Sequence, residues 1–155
     1  MIADHSQCQI VRKLLIDNAF GVEPVNGAVW PIYFSSLPDG EASSPKVADE
    51  AICVYDTDGL KDGRIMASGE VVVHEGFQVK VRAKSGGYQA AQKKLKQIAQ
   101  FLDTVLRVAI TLDTTDYIIQ NITRLSPASW AGKEPTSKRR DFFTITCTIT
   151  IREAP

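Results

Sequence analysis

The chain reads as one α+β domain, a mostly antiparallel β-sheet with two α-helices packed on one face. Three observations predict this. Residues 77–84 alternate, with Phe77, Val79, Val81 and Ala83 facing one way and Gln78, Lys80, Arg82 and Lys84 the other. Residues 142–152 alternate again, Phe143, Ile145, Cys147, Ile149 and Ile151 against Thr144, Thr146, Thr148 and Thr150. Between them Ala91, Leu95, Ile98, Leu102 and Val105 recur at steps of four and three. Period two belongs to a strand with one buried face, and the four-three step to a helix with one apolar stripe.

The remaining elements follow in order. Ser6 is a suitable N-cap, and Ile10, Val11, Leu14, Leu15 and Ala19 give a helix over 6–20, closed by Gly21. A strand over 29–34 contains Pro31, which confines it to an edge or a bulge. Residues 35–49, rich in Ser, Pro, Gly and acid, read as a surface loop. Residues 51–55 are a strand, 56–63 a polar loop with two glycines, and 69–75 and 77–84 two strands meeting near Gly76. Ser85-Gly86-Gly87 ends the last of these and caps a long helix over 88–108. A strand over 117–125 and the terminal strand 142–152 are joined by the long connection 126–141.

With 155 residues, 44% hydrophobic and 23% charged, the chain suits one soluble domain with a sizeable core. Lys+Arg and Asp+Glu both number 18, so the formal net charge is zero. That argues against a dedicated nucleic-acid binder and leaves little repulsion between copies. Three dispersed cysteines, Cys8, Cys53 and Cys147, fit neither a disulfide framework nor a zinc knuckle, and point to a reducing, intracellular setting. The first residues lack the basic flank and apolar run of a signal peptide, and no apolar run is long enough to span a membrane.

No motif carries catalysis, a metal or a cofactor. Asp56-Thr57-Asp58-Gly59 with Asp62 has acids for calcium but lacks the glutamate at loop position twelve, so turn chemistry accounts for it. His5 and Cys8 make only two ligands, and Cys53 with His74 lacks an orienting third group. Ser85-Gly86-Gly87 lacks the Lys-Ser/Thr ending of a phosphate loop. Lys93, Lys94 and Lys96 read as a solvated helix face. Trp130 and the run Lys138-Arg139-Arg140 share one connection and are the residue types that anchor protein interfaces.

The order of features then resembles a known family. It runs Leu37-Pro38-Asp39; Ala51-Ile52-Cys53-Val54-Tyr55-Asp56-Thr57-Asp58-Gly59; Gln78-Val79-Lys80-Val81-Arg82; and a helix opened by Tyr88 with Ala91, Ile98, Leu102 and Asp103. Pro127, Gly132, Arg139-Arg140 and the strand from Phe142 complete it. The chain is similar, over residues 29–152, to bacteriophage minor capsid or tail-completion proteins related to the tail terminators of long-tailed phages. It departs at Gly132-Lys133-Glu134-Pro135, where a Gly-x-Asp turn is expected and Glu134 stands in for the acid.

The resemblance implies an α+β subunit that forms a hexameric ring on the head-proximal end of the tail tube, stops tube growth and presents the head-joining surface. It implies no catalytic residue, cofactor or membrane. Its partners would be copies of itself, the tail tube protein, a head connector or neck protein and, transiently, passing DNA. Its place would be the tail or neck of the virion, after assembly in the host cytoplasm. On this reading Trp130, Lys138, Arg139 and Arg140 are candidate interface residues, and Lys80, Arg82 and Lys84 candidate channel-lining residues. Loops 35–49, 56–63 and 126–141 are the adjustable contacts. The alternatives are a head-completion adaptor on the portal, a small prophage-encoded enzyme or ligand-binding domain, and a nucleic-acid-binding module.

Overall fold

The computed structural model describes residues 4–25, 27–38, 48–64, 71–135 and 139–154, without the side chains of 60–64, 71–73 and 153. The elements are α1 (Gln7–Asp17), β1 (Ile32–Phe34), β2 (Ala51–Arg64), β3 (Val71–Arg82), α2 (Tyr88–Leu102), β4 (Leu106–Leu112), β5 (Thr115–Arg124), β6 (Ser129–Lys133) and β7 (Asp141–Glu153). They make one sheet in the order β1-β2-β3-β7-β5-β4, with β6 beside β7. Among the described strands β1–β2 pair in parallel and the other strand pairings are antiparallel. The fold class read from the sequence is the one observed.

Cross-strand partners show how the alternation builds a core. Ile32 sits opposite Ile52, Ile52 opposite Val81, and Val81 opposite Phe143. One row deeper, Val54 meets Val79 and Val79 meets Ile145. These residues and the apolar stripes of both helices, Val11 and Leu15 of α1 and Leu95 and Ile98 of α2, form a single buried cluster. The sheet curls around the helices, and α1 touches β1 and β2 at one end of the strand order and β4 at the other.

Helix α1 starts as its sequence indicates. The Ser6 N–H donates to Gln9 Oε1 at 3.0 Å, half of a capping box. The Cys8 N–H donates to Asp56 Oδ1 at 2.9 Å, so an acid read as a turn residue serves a helix end from across the core. The helix stops before Gly21. The Phe20 N–H bonds Leu15 O and the Ala19 N–H bonds Ile16 O, both at 3.0 Å, a Schellman closure with Ala19 in the left-handed position at φ 60°.

Six other expectations are corrected. The strand over 29–34 shortens to β1, because Trp30 takes φ 54° and Pro31 has no N–H to add to a ladder. Pro31 does lie at the sheet edge, bridged to Val22. The helix over 88–108 ends at Leu102, and residues 106–112 form a strand, β4, paired with β5. Leu102, Val105 and Val108 extend the helical three-step, but the ladder to β5 decides the local structure. The strand over 117–125 spans Thr115–Arg124, with an irregularity between Ile119 and Asn121 that lets Ile119 and Ile122 both reach the core.

The loop over 56–63 is instead the far half of β2, and β3 runs straight through Gly76 (residues 69 and 70 lie outside the described residues). The glycines serve close approach at a bulge. A Cβ on Gly59 would sit 2.1 Å from His74 O, and one on Gly76 would sit 2.4 Å from Asp58 O. Finally, the connection 126–141 holds β6, paired with β7 from Ser129↔Thr144 to Lys133↔Asp141.

Ala19 provides a test of the helix closure. A left-handed alanine is strained by about 1 kcal/mol, partly offset by its smaller loss of freedom on folding. Ala19→Gly is expected to raise stability by about 0.5 kcal/mol, read as a higher urea midpoint at unchanged slope.

Candidate assembly surface

The residues singled out from the sequence separate into exposed and buried groups. Trp130, on β6, is 52% exposed, and its indole N–H donates to Asp141 Oδ1 at 3.0 Å. Lys133 Nζ reaches the same oxygen at 3.1 Å. The Trp130 hydrogen bond, seconded by Lys133, holds the Asp141 carboxyl below its ordinary range. Arg139 is exposed and takes φ 45° in the β6–β7 turn. Lys138 lies outside the described residues. Lys84 is exposed, while Lys80 is half-buried with Nζ 4.1 Å from the centre of the Phe142 ring.

Arg82 and Arg140 turn inward. Arg82 is 1% exposed, and its guanidinium donates to Asp49 O at 2.8 Å, Pro38 O at 2.7 Å and Ala48 O at 2.8 Å. Its charge is therefore held by backbone carbonyls and is not offered to solvent in the single subunit. The alternating pattern places Arg82 on the correct side of the sheet; it does not reveal that residues 38 and 48–49 cover that side. Arg82 thus ties Pro38 and residues 48–49 to the sheet, and residues 39–47 lie outside the described residues.

Arg140 is 2% exposed and forms a bidentate pair with Glu134, 4% exposed, at 2.6 Å for each bond. A third bond runs from Nη1 to Asp49 Oδ1 at 2.8 Å. The Glu134 hydrogen bond raises the already high ionisation range of Arg140 further. The pair closes the β6–β7 turn together with the Glu134 N–H to Arg140 O bond of 2.8 Å. Glu134, the departure noted in the sequence, thus supplies the turn's acid with the longer side chain. The two arginines converge on Asp49, one on its carbonyl and one on its carboxylate. Beside them lies a cleft of about 270 Å³ lined by Leu37, Tyr55, Lys80, Arg82, Glu134, Pro135 and Phe142.

The pairs weighed for chemistry are engaged elsewhere. His74 Nδ1 lies 2.7 Å from Thr150 Oγ1. Burial pushes the Cys53 thiol up to about 11 and the Cys147 thiol up to about 12. Both therefore stay protonated at neutral pH, and a thiolate nucleophile is not formed there. Sequence reasoning missed one surface feature. Arg107 and Ala109 of β4, Ile118 and Gln120 of β5 and Arg152 of β7 surround a recess of about 340 Å³. The signal that would have found it is the strand phase of β4, hidden by reading 103–108 as helix.

Two outcomes are expected from these environments. A folded thiol raised above its unfolded value stabilises the protein fully below about 8.5 and loses that contribution as pH rises toward the folded values. Stability should thus fall between about pH 9 and 12, the range bounded by the unfolded thiol and the raised Cys147 value, and less so in Cys53→Ala/Cys147→Ala, as measured by denaturant melts. Removing one partner of the buried ion pair, by Arg140→Met or Glu134→Leu, should cost about 3–5 kcal/mol. The double variant should recover much of that loss, read as a coupling energy in a double-mutant cycle.

No curated protein matches the chain. The family described as bacteriophage tail terminator protein matches residues 22–132, from the segment before β1 into β6. Because that match takes in most of the chain and most of the sheet just described, the protein belongs to the bacteriophage tail terminator family.

Proposed function

We propose that this subunit closes the head-proximal end of a tail tube as a homo-hexameric ring, ending tube polymerisation and offering the surface onto which the filled head docks. The observation that carries the reading is the family match over residues 22–132. Family membership makes the protein a component of the virion tail; the ring, the neck position and assembly in the host cytoplasm are our extension of it. The fold is compatible with such work. A continuous core joins both helices to the sheet, so the subunit is a stiff block, and its role is structural rather than catalytic. In a head-to-tail ring each copy uses two different patches, and closure leaves no free patch for further growth.

Trp130 and Arg139, exposed on the β6–β7 hairpin, are the interface anchors in this reading, with Lys138 beside them in sequence. Arg140 supports them from within by fixing the turn. Lys80 and Lys84 are the channel-lining candidates that reach solvent, and Arg82 holds the carbonyls of Pro38, Ala48 and Asp49. The partners are further copies of the chain, the tail tube protein, the head connector and DNA in transit.

The test is capping. Purified protein added to growing tail tubes should arrest them at one end, with a six-subunit ring seen by negative-stain microscopy and native mass spectrometry on the capped tubes. Trp130→Ala with Arg139→Glu should reduce capping at least about tenfold, the scale of an interface hot spot, at unchanged circular dichroism. A protein that binds portal rings and never tubes would replace this reading with that of a head-completion adaptor.

A further inference from the structure

The sheet has a second face, turned away from the helices, and its two ends differ: Asp49 and Glu134 stand beside Arg82 and Arg140 at one end, while Arg107 and Arg152 share a recess at the other. Along β7 the residues on this face are Phe142, Thr144, Thr146, Thr148, Thr150 and Arg152. Across the ladder from Thr144 stands Lys80, and across from Arg152 stands Ile118, itself opposite Ala109. Arg107 and Gln120 complete the recess around that last row. Lys80 and Arg152 are therefore separated by about eight residues of strand, roughly 26 Å, with threonines between them. One acid of the described side chains shares the phase of Ile118 and Gln120. It is Asp116, at the end of β5, and it accepts a 2.6 Å hydrogen bond from Thr111 Oγ1.

The arginines of the chain show why the recess stands apart. Arg12 binds Glu23 and Ile32 O, Arg124 binds Asp103, Arg140 binds Glu134 and Asp49, and Arg82 binds three carbonyls. Among the described arginine side chains, Arg107, Arg139 and Arg152 have no hydrogen-bond or ion-pair partner. Two of these three share one recess, both side chains exposed, with a Gln amide beside them and an apolar floor of Ala109 and Ile118. Unpaired guanidinium groups, amides and threonine hydroxyls are the groups that contact phosphate oxygens without reading base sequence.

We propose that this second sheet face is a phosphate-contacting surface for duplex DNA, centred on Arg107 and Arg152. Its setting rests on the ring reading above, in which the face lines the opening that DNA crosses; the contact itself is a property of the subunit. Each guanidinium meeting a phosphate displaces condensed counterions, so the interaction is sequence-independent and falls steeply with salt. Few charges per copy keep it weak enough for a moving duplex to be guided and released.

The experiment titrates generic duplex DNA against the full-length protein, free and on capped tubes, from about 50 to 200 mM salt by fluorescence anisotropy. The wild type should bind with an affinity that falls linearly on a log–log plot. Arg107→Gln/Arg152→Gln should lower the slope by about two, one for each phosphate no longer neutralised. Lys93→Gln/Lys96→Gln, which removes equal charge from the exposed face of α2, should leave it unchanged. The inference is overturned by a salt-independent wild type, or by equal reductions in the two double variants. It is also overturned if the arginine pair abolishes tube capping while leaving the DNA slope intact, which would make the recess a protein interface. Failure of the wild type to cap tubes would instead count against the ring, and the titration of the free protein would still decide the DNA contact.

Discussion

The molecule depends on β7 holding neighbours along both edges at once. One edge pairs with β3 from Phe142 to Ile149. The other is shared end to end, with β6 beside Asp141–Thr144 and β5 beside Cys147–Glu153. At the handover the Leu125 N–H donates to Thr146 O at 2.8 Å, and the Thr146 N–H donates to Ser126 Oγ at 2.9 Å, so the gap between the two neighbours leaves that residue's backbone satisfied. Because side chains alternate along a strand, a slip of one residue in β7 would bring Thr144, Thr146 and Thr148 to the helices in place of Phe143, Ile145 and Cys147. The register of this strand therefore fixes the core on one side and the polar face on the other.

That division also sorts the arginines. Arg82 and Arg140 lie where chain segments cross the second face near β2 and β6, and there a guanidinium with several donors can satisfy carbonyls and carboxylates that would otherwise be buried unpaired. They hold residues 48–49 to the sheet and close the hairpin that displays Trp130. At the opposite end of the same face no described segment crosses, and Arg107 and Arg152 remain open to a partner from outside the subunit. The same residue type is thus internal scaffold at one end and solvent-exposed at the other, and the covering backbone makes the difference.

This explains what was legible in the sequence. The core faces of β3 and β7 and the stripe of α2 were readable because burial imposes period on their own residues. The fold class followed from those periods. The strand β4 was not readable, since Leu102, Val105 and Val108 suit a helix as well as Val108, Ile110 and Leu112 suit a strand, and only pairing with β5 decides. The strand β6, Ser129-Trp130-Ala131-Gly132-Lys133, has no alternation and owes its structure to β7. The far half of β2 is acidic and glycine-rich, and its extension is imposed by β3 across the bulges. Arg82 and Arg140 looked like surface cations because the partners that bury them, Asp49 and the carbonyls of residues 38 and 48, are remote in sequence and carry no periodic signal.

Net charge is silent about placement for a related reason. A total of zero is a statement about the sum, while a phosphate responds to the field within about one Debye length, roughly 8–10 Å at ordinary salt. In this chain Asp49 and Glu134 meet Arg140 at one end of the second face, while Arg107 and Arg152 share the recess at the other, with Asp116 in the phase of its floor. A neutral subunit suits closed assembly. Long-range repulsion between copies is small, so neighbours would approach on short-range fit, and Arg107 and Arg152 keep their field because no described acid side chain is paired with either. The neutrality that counts against a dedicated nucleic-acid binder leaves room for the weak phosphate surface proposed above, because Arg107 and Arg152 lie apart from the ion pairs of Arg140 on the same face.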